Sequence, residues 1–395
     1  MAAPGWISVL AGLVVLALVL LDVMLTVLHV EAESVVSNRF HRTFWRVLCG
    51  VTWPLVRARN ARATVLSWGV PLMVVGTLIL WIAGYIAGFG LVYLPVIADP
   101  RFFHYADPSL AIAVDNAFYF SAASLFTLGY GDVYPAHVLT RLMAAIEGGT
   151  GMLTISLAVT YVIAVYPFIT RSVALATSLN QESAGRADGI VVAARYVGAD
   201  GADALGEWLR EVNDELIHMA QAHGFYPVLY YVRPRDVHAS FARVLALVQG
   251  LVGTLRYGLD PVVHRPIVVD PRLTVLEEGL LYTLHSLGTS MHLDLAADAT
   301  ESPDGYGADF TALREQLRQH GLTARSGDDA AAGQAYARFR LATDPYIRAY
   351  AHNLRYHPKT VWAVYSRWAR GSALTSPGEP LAPPGATTPE PTDKP

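Results

Sequence analysis

From Val65 to Ala98 the chain carries no Asp, Glu, Lys, Arg or His. A water-facing helix needs a polar stripe, and this stretch has no charge from which to build one. Two further stretches are nearly as bare: Gly5 to Leu28, whose one charged residue is Asp22, and Gly148 to Thr170, which has none. A hydrocarbon core of about 30 Å takes about 20 helical residues to cross, so each stretch is long enough to span a bilayer. Helices of soluble cores typically run to about 8–20 residues. Composition agrees. Hydrophobic residues make up 53% of the 395-residue chain and charged residues 16%, against about 25% charged in soluble domains. A disordered chain needs the opposite balance. The formal net charge of −4 offers no global attraction for nucleic acid, and one cysteine, Cys49, excludes a disulfide framework or a Cys-based zinc site.

The first stretch has the alternative of being a cleaved leader, but its apolar run is too long for one and no Lys or Arg precedes it. Arginines orient the spans. Glu31 to Thr64 holds Arg39, Arg42, Arg46, Arg57, Arg59 and Arg62; Leu91 to Val138 holds only Arg101, beside Asp99, Asp107, Asp115 and Asp132. The positive-inside rule then places the N-terminus outside and everything from Arg171 onward in the cytoplasm, in a multi-pass protein of the plasma membrane. Phe40 to Leu55 mixes aromatic and apolar residues with arginine, which suits either an interfacial helix on anionic headgroups or a basic linker.

Between the second and third spans lies Asp115-Asn-Ala-Phe-Tyr-Phe-Ser-Ala-Ala-Ser-Leu-Phe126, followed by Thr127-Leu-Gly-Tyr-Gly-Asp132-Val-Tyr-Pro135. The first part is too short to cross a membrane and too apolar for an exposed loop, so it reads as a re-entrant helix. Irregular backbone at membrane depth is tolerated where it lines a cavity or is buried in protein. A Gly-Tyr-Gly in that place is a functional expectation.

This segment resembles the pore domain of potassium channels, whose filter reads Thr-Val/Ile/Leu-Gly-Tyr/Phe-Gly, commonly followed by Asp. The resemblance covers roughly residues 66–168. It implies that backbone carbonyls of Thr127, Leu128, Gly129 and Tyr130 replace the hydration shell of K+, with the Thr127 hydroxyl at the inner end. It implies that Gly129 and Gly131 supply backbone angles a Cβ would penalise, that Leu128 and Tyr130 brace the strand, and that Asp132 sits at the outer mouth. One chain holds one filter strand, so a homotetramer in membrane lipid is implied, with no cofactor besides the permeant ion. Gly151 falls where the family commonly has its inner-helix hinge. Within Gly148-Gly149-Thr150-Gly151 it reads equally as a small residue for close packing. Ile155, Val159 and Ile163 recur at i, i+4 and i+8 as a candidate pore lining, and Pro167 is expected to break the helix at the inner surface. Departures from the family include Tyr119 and Phe120 where tryptophans are common, Phe126 where a second Thr often stands, and Ala123 where some members carry an acid. The second span has no Arg, which excludes voltage sensing by a charged helix.

Two acids lie inside the spans. Asp22 forms a polar stripe with Thr26 and His29; it is either a pH- or cation-sensitive contact to the pore domain or a structural hydrogen bond to a neighbouring helix or a juxtamembrane Arg. Glu147 is expected to brace the filter from behind, in place of the acid absent at Ala123.

The expected architecture is an all-α membrane protein: an extra helix at 1–30, a basic segment at 31–64, a pore domain at 65–170, a mainly helical cytoplasmic domain at 171–370 and a disordered Pro-rich tail at 371–395. In the cytoplasmic part, apolar stripes run from Leu205 to Met219 and from Phe241 to Leu255. Further helical patterns cover about 272–291, 308–320, 330–354 and 359–369, with polar linkers near 184–203 and 294–306. Only Phe225 to Val232 hints at a strand. No Gly-rich phosphate loop or β-roll signal appears, and scattered histidines such as His285 and His292 lack metal-site companions, so any regulatory ligand is undefined. The function expected is passive, selective K+ conduction rather than catalysis. The alternatives are a weakly selective cation channel and a non-conducting receptor or scaffold working through 171–370.

Overall fold

A computed structural model of the chain describes residues 3–27, 34–107, 115–197, 201–293, 295, 306–326 and 330–362. Three of its helices are long and apolar enough to cross a membrane: α1 (Ala3–Val27), α4 (Gly69–Tyr93) and α6 (Val138–Glu182). Helices α1 and α4 pack through glycines. A Cβ at Gly84 would lie 2.5 Å from Val19, one at Gly88 2.7 Å from Leu16, and one at Gly12 2.5 Å from the Gly88 carbonyl. Lipid tails are as apolar as leucine, so backbones that approach closely are what hold such helices together. Away from these contacts the three helices expose Leu10, Leu13, Ile79, Leu142 and Met152, as lipid- or subunit-facing surfaces require.

The basic segment is helical: α2 covers Val35–Leu55 and α3 Arg59–Ser67. Ser34 caps α2 by accepting a hydrogen bond from the Ser37 amide at 3.1 Å, which satisfies one of the orphan donors of a first turn. His41 and Trp45, one turn apart, face α4; His41 bonds Thr77 at 2.9 Å and Trp45 lies against Gly69.

Two three-residue strands, β1 (Phe103–Tyr105) and β2 (Val133–Pro135), pair antiparallel with His104 opposite Tyr134. They flank the Gly-Tyr-Gly segment, so residues 106–132 leave and return at the same end of the bundle. Strands this short give no periodic signal, and none was expected here.

Helix α6 runs 45 residues, about 68 Å at 1.5 Å per residue. The expected break at Pro167 does not occur. A proline inside a membrane helix loses one hydrogen bond, which neighbouring helices and local adjustment tolerate, and α6 continues until Leu175, Ala176 and Leu179 enter the main core.

Trp45, Cys49, Leu66, Val70 and Met73 of α2, α3 and α4 also join that core, but most of it comes from the C-terminal helical domain: α7 (Ile190–Val197), α8 (Ala202–Phe225), α9 (Phe241–Val252), α10 (Arg265–Val268), α11 (Pro271–Met291), α12 (Gly307–Gln319), α13 (Ala330–Asn353) and α14 (Pro358–Val361). Every residue of α9 is buried, which makes it the hub, and a π-helical turn over Gly253–Gly258 extends it. Two expectations need correction. The 184–203 linker contains α7, because Ile190, Val192 and Ala193 are buried. The strand hint at 225–232 is a 3-10 turn over Pro227–Tyr231; Pro227 fixes φ in its first turn and three successive residues, Val228 to Tyr230, are buried where a strand would alternate. Residues 363–369, the tail at 371–395, His29 and most of the 294–306 linker lie outside the described residues.

Candidate functional site

Asp115–Leu125 forms α5, a helix of 11 residues that reaches about half-way across a hydrocarbon core. It packs between α4 and α6. Phe120 meets Tyr93 at 5.2 Å and Phe103 at 5.0 Å, both near edge-on, and Tyr93 meets Phe103 at 5.7 Å. Such aromatic pairs contribute about 0.5–1.5 kcal/mol each beyond the area they bury. Glu147, wholly buried on α6, accepts hydrogen bonds from the Tyr93 hydroxyl at 2.9 Å and from the Ser121 hydroxyl. One carboxyl group therefore joins α4, α5 and α6 behind the short helix.

The end of α5 is a Schellman motif. The Thr127 amide donates to the Ser124 carbonyl at 3.1 Å and the Leu128 amide to the Ala123 carbonyl at 2.8 Å, with Thr127 at φ 55°. Glycine usually takes that left-handed place. A residue with a Cβ pays roughly 1–2 kcal/mol there, and β-branched threonine is an outlier. Gly129 at φ 63° and Gly131 at φ 77° repeat the left-handed state, whereas Leu128 and Tyr130 between them do not. In an extended strand successive carbonyls point to opposite sides; switching hand at every second residue turns them toward one side. A Cβ at Gly129 or Gly131 would meet nothing within 4 Å, so the demand for glycine there is one of backbone angle, not of space.

Asp132 closes the segment. Its carboxylate accepts from the Tyr119 hydroxyl at 2.7 Å and from the Val133 amide at 3.0 Å, and its carbonyl accepts from the Ala106 amide at 2.9 Å. Tyr119 thus ties α5 to the far end of the loop, and Phe120 turns the other way into the aromatic cluster. Side chains of Leu128 and Tyr130 are left 52% and 68% exposed by this chain. Behind the loop is a cavity of about 490 Å³ lined by Tyr119, Ala123, Thr127, Tyr130, Gly148 and Met152.

On α6, a Cβ at Gly151 would lie 2.3 Å from the Leu125 carbonyl, and one at Gly148 3.3 Å from the Ser124 carbonyl. Both glycines let α6 touch the carboxyl end of α5, and Gly149 faces open space. Ile155, Val159 and Ile163 form an uncovered apolar stripe, 46%, 55% and 66% exposed.

Asp22 stands apart from the loop. It accepts from the Ser34 hydroxyl, the Ser37 amide and hydroxyl at 3.1 and 2.5 Å, and the Trp81 indole at 2.8 Å. These bonds join α1, α2 and α4 at one carboxylate. Tyr93, Ser121 and Trp81 escaped the sequence reading. Their signal was the polar atom each carries within an apolar run, which demands a buried partner.

Comparison with known proteins adds a likeness to this geometry. Residues 101–166 match the ion channel family. The matched segment begins just before β1, includes α5, the 127–132 loop and β2, and ends within α6. A longer similarity, 252 residues at 27% identity, joins 64% of this chain to 70% of the uncharacterized membrane protein YdjJ of Bacillus subtilis (strain 168). No solved structure matches the chain.

Proposed function

We propose that the chain is one subunit of a potassium-selective channel whose pore is closed by four copies. The observation that carries this reading is the left-handed alternation at Thr127, Gly129 and Gly131 on the sequence Thr-Leu-Gly-Tyr-Gly-Asp. Conduction of K+ requires oxygen ligands that replace water with little cost of rearrangement, and a row of carbonyls held toward one axis provides them without any bond being made or broken. The carboxyl end of α5 lies against Gly148 and Gly151 of α6, so its negative dipole end favours a cation below the filter. The uncovered Leu128, Tyr130 and α6 stripe are surfaces that further copies or the pore would occupy. The six arginines of residues 31–64 support an orientation with that segment and the C-terminal helical domain in the cytoplasm and the 127–132 loop toward the outside of the plasma membrane.

The test is ion flux from liposomes holding the purified protein under K+ and then Na+ gradients, with Ba2+ as blocker. Ba2+-sensitive K+ flux well above Na+ flux is expected, and Gly129→Ala should abolish the difference. Equal Na+ and K+ flux would overturn selectivity, and absence of flux would overturn conduction.

A further inference from the structure

Where α2 passes the start of α4, a cavity of about 300 Å³ opens between the membrane helices and the C-terminal helical domain. Its size is at the lower end of small-ligand sites, about 300–1,000 Å³. Four elements converge on it: α2 supplies Arg42, Trp45 and Arg46, the 3-10 turn supplies Tyr231, which shares a hydrogen bond with Arg42, the end of α11 supplies His292, and the end of α13 supplies His352. Among the described residues no carboxylate lines it, and neither arginine has an acidic partner. Some exposed arginines elsewhere in the domain are paired, as Arg171 is with Glu215 and Arg195 with Glu182.

Two simpler accounts fall short. The arginines might be needed to satisfy the last carbonyls of α11 and α13, but both ends are already closed. Leu293 and Tyr356 amides donate to Gly288 and Ala351 in Schellman motifs, and the Asn353 carbonyl takes the Trp45 indole at 2.9 Å. Nor is His292 there for the turn. It sits at φ 50°, where glycine would cost nothing and a side chain costs roughly 1–2 kcal/mol. An imidazole is thus kept facing the cavity at an energetic disadvantage.

We propose that this cavity binds a phosphate-bearing anion, gripped by Arg42 and Arg46 from α2 and by His292 and His352 from the C-terminal domain. Guanidinium groups one turn apart present forked donors suited to phosphate oxygens. Trp45 lies against Gly69, where the charge-free run of α4 has just begun, so the cavity stands at the depth of lipid headgroups. A phospholipid phosphate and a free phosphate share the required chemistry. Either would clamp α2 to the domain that α6 enters. The site does not depend on the filter conducting.

Native mass spectrometry of the full-length protein in detergent, titrated with dioctanoyl phosphatidic acid, dioctanoyl phosphatidylcholine or inorganic phosphate, tests this. Phosphatidic acid is expected to bind, and Arg42→Gln with Arg46→Gln should weaken it by about tenfold or more per arginine, as loss of charged hydrogen bonds does. His352→Gln, at the exposed end of α13, should weaken it severalfold, and Arg39→Gln, on α2 but outside the cavity, should leave it unchanged. Inorganic phosphate binding with equal affinity would assign a soluble ligand; phosphatidic acid binding alone would assign a headgroup. The proposal is overturned if neither binds, if phosphatidylcholine binds as tightly, or if Arg39→Gln weakens binding as much as the cavity variants.

Discussion

At the scale of single residues, the segment that matches an ion channel depends on a few groups with no spare partners. Glu147 holds two hydroxyls in a buried place. Glu147→Ala should lower stability by about 2–4 kcal/mol, since it leaves the Tyr93 and Ser121 donors unpaired and opens a void. Glu147→Gln should retain most of that stability. Heat-induced loss of the folded protein in detergent measures both, and equal losses would show that hydrogen bonding is not what Glu147 provides. His223, buried in α8, stacks on Phe241 at 4.8 Å, with its Nδ1 2.6 Å from the Met219 carbonyl. Burial lowers its pKa from 6.5 to about 4. Above pH 6.5 the imidazole is neutral whether the domain is folded or not, so it adds no pH dependence. As pH falls from 6.5 toward 4 the unfolded chain binds a proton that the folded one refuses, and stability drops by up to about 3 kcal/mol. His223→Leu should flatten that part of the curve, read as melting temperature against pH. An unchanged slope would remove His223 from the acid response.

At the scale of elements, the long helix α6 has two halves with different surroundings. Its first half is apolar and largely uncovered; its second half buries Leu175, Ala176 and Leu179 in the core around α9. Leu179→Ala should therefore cost about 2–5 kcal/mol in the C-terminal domain and leave the K+/Na+ flux ratio unchanged. A changed ratio would mean that the filter and the domain core are one cooperative unit. Much at this scale was legible beforehand, because charge-free runs and apolar stripes are local signals: the three spans, α8, α9, α11, α12 and α13 all follow from them. Features decided by distant partners were not. β1 and β2 exist through each other, α7 through the pocket that buries Ile190, and the passage of α6 through Pro167 depends on packing on both sides. In the loop, Gly129 and Gly131 announced left-handed backbone in the sequence. Thr127 did not, since its φ follows from the way α5 ends. The Asp22 and Glu147 joints were visible as acids out of place; their partners, up to 59 positions away as for Trp81, were not.

At the scale of the whole molecule, the decisive surface is the one this chain leaves bare. Ile155, Val159 and Ile163 are uncovered, as are Leu128 and Tyr130, and exposed apolar area on that scale has to face lipid, a further copy or a water-filled pore. These destinations differ in one measurable respect: only the pore admits a charged reagent from water. The native Cys49 is buried, 5% exposed, so a cysteine introduced at Ile163 would be the sole reactive thiol. With Ile163→Cys protein in liposomes, a positively charged methanethiosulfonate reagent should modify the thiol and reduce K+ flux, and mild oxidation should link subunits in pairs across the axis. Trp68→Cys, in the turn between α3 and α4 and 56% exposed, serves as the comparison. Modification there should leave flux unchanged and oxidation should give no linked pairs, because Trp68 lies outside the α6 stripe. If Ile163→Cys resists the reagent while flux persists, the stripe lies in lipid or in a subunit contact, and the pore must be lined by another face of α6.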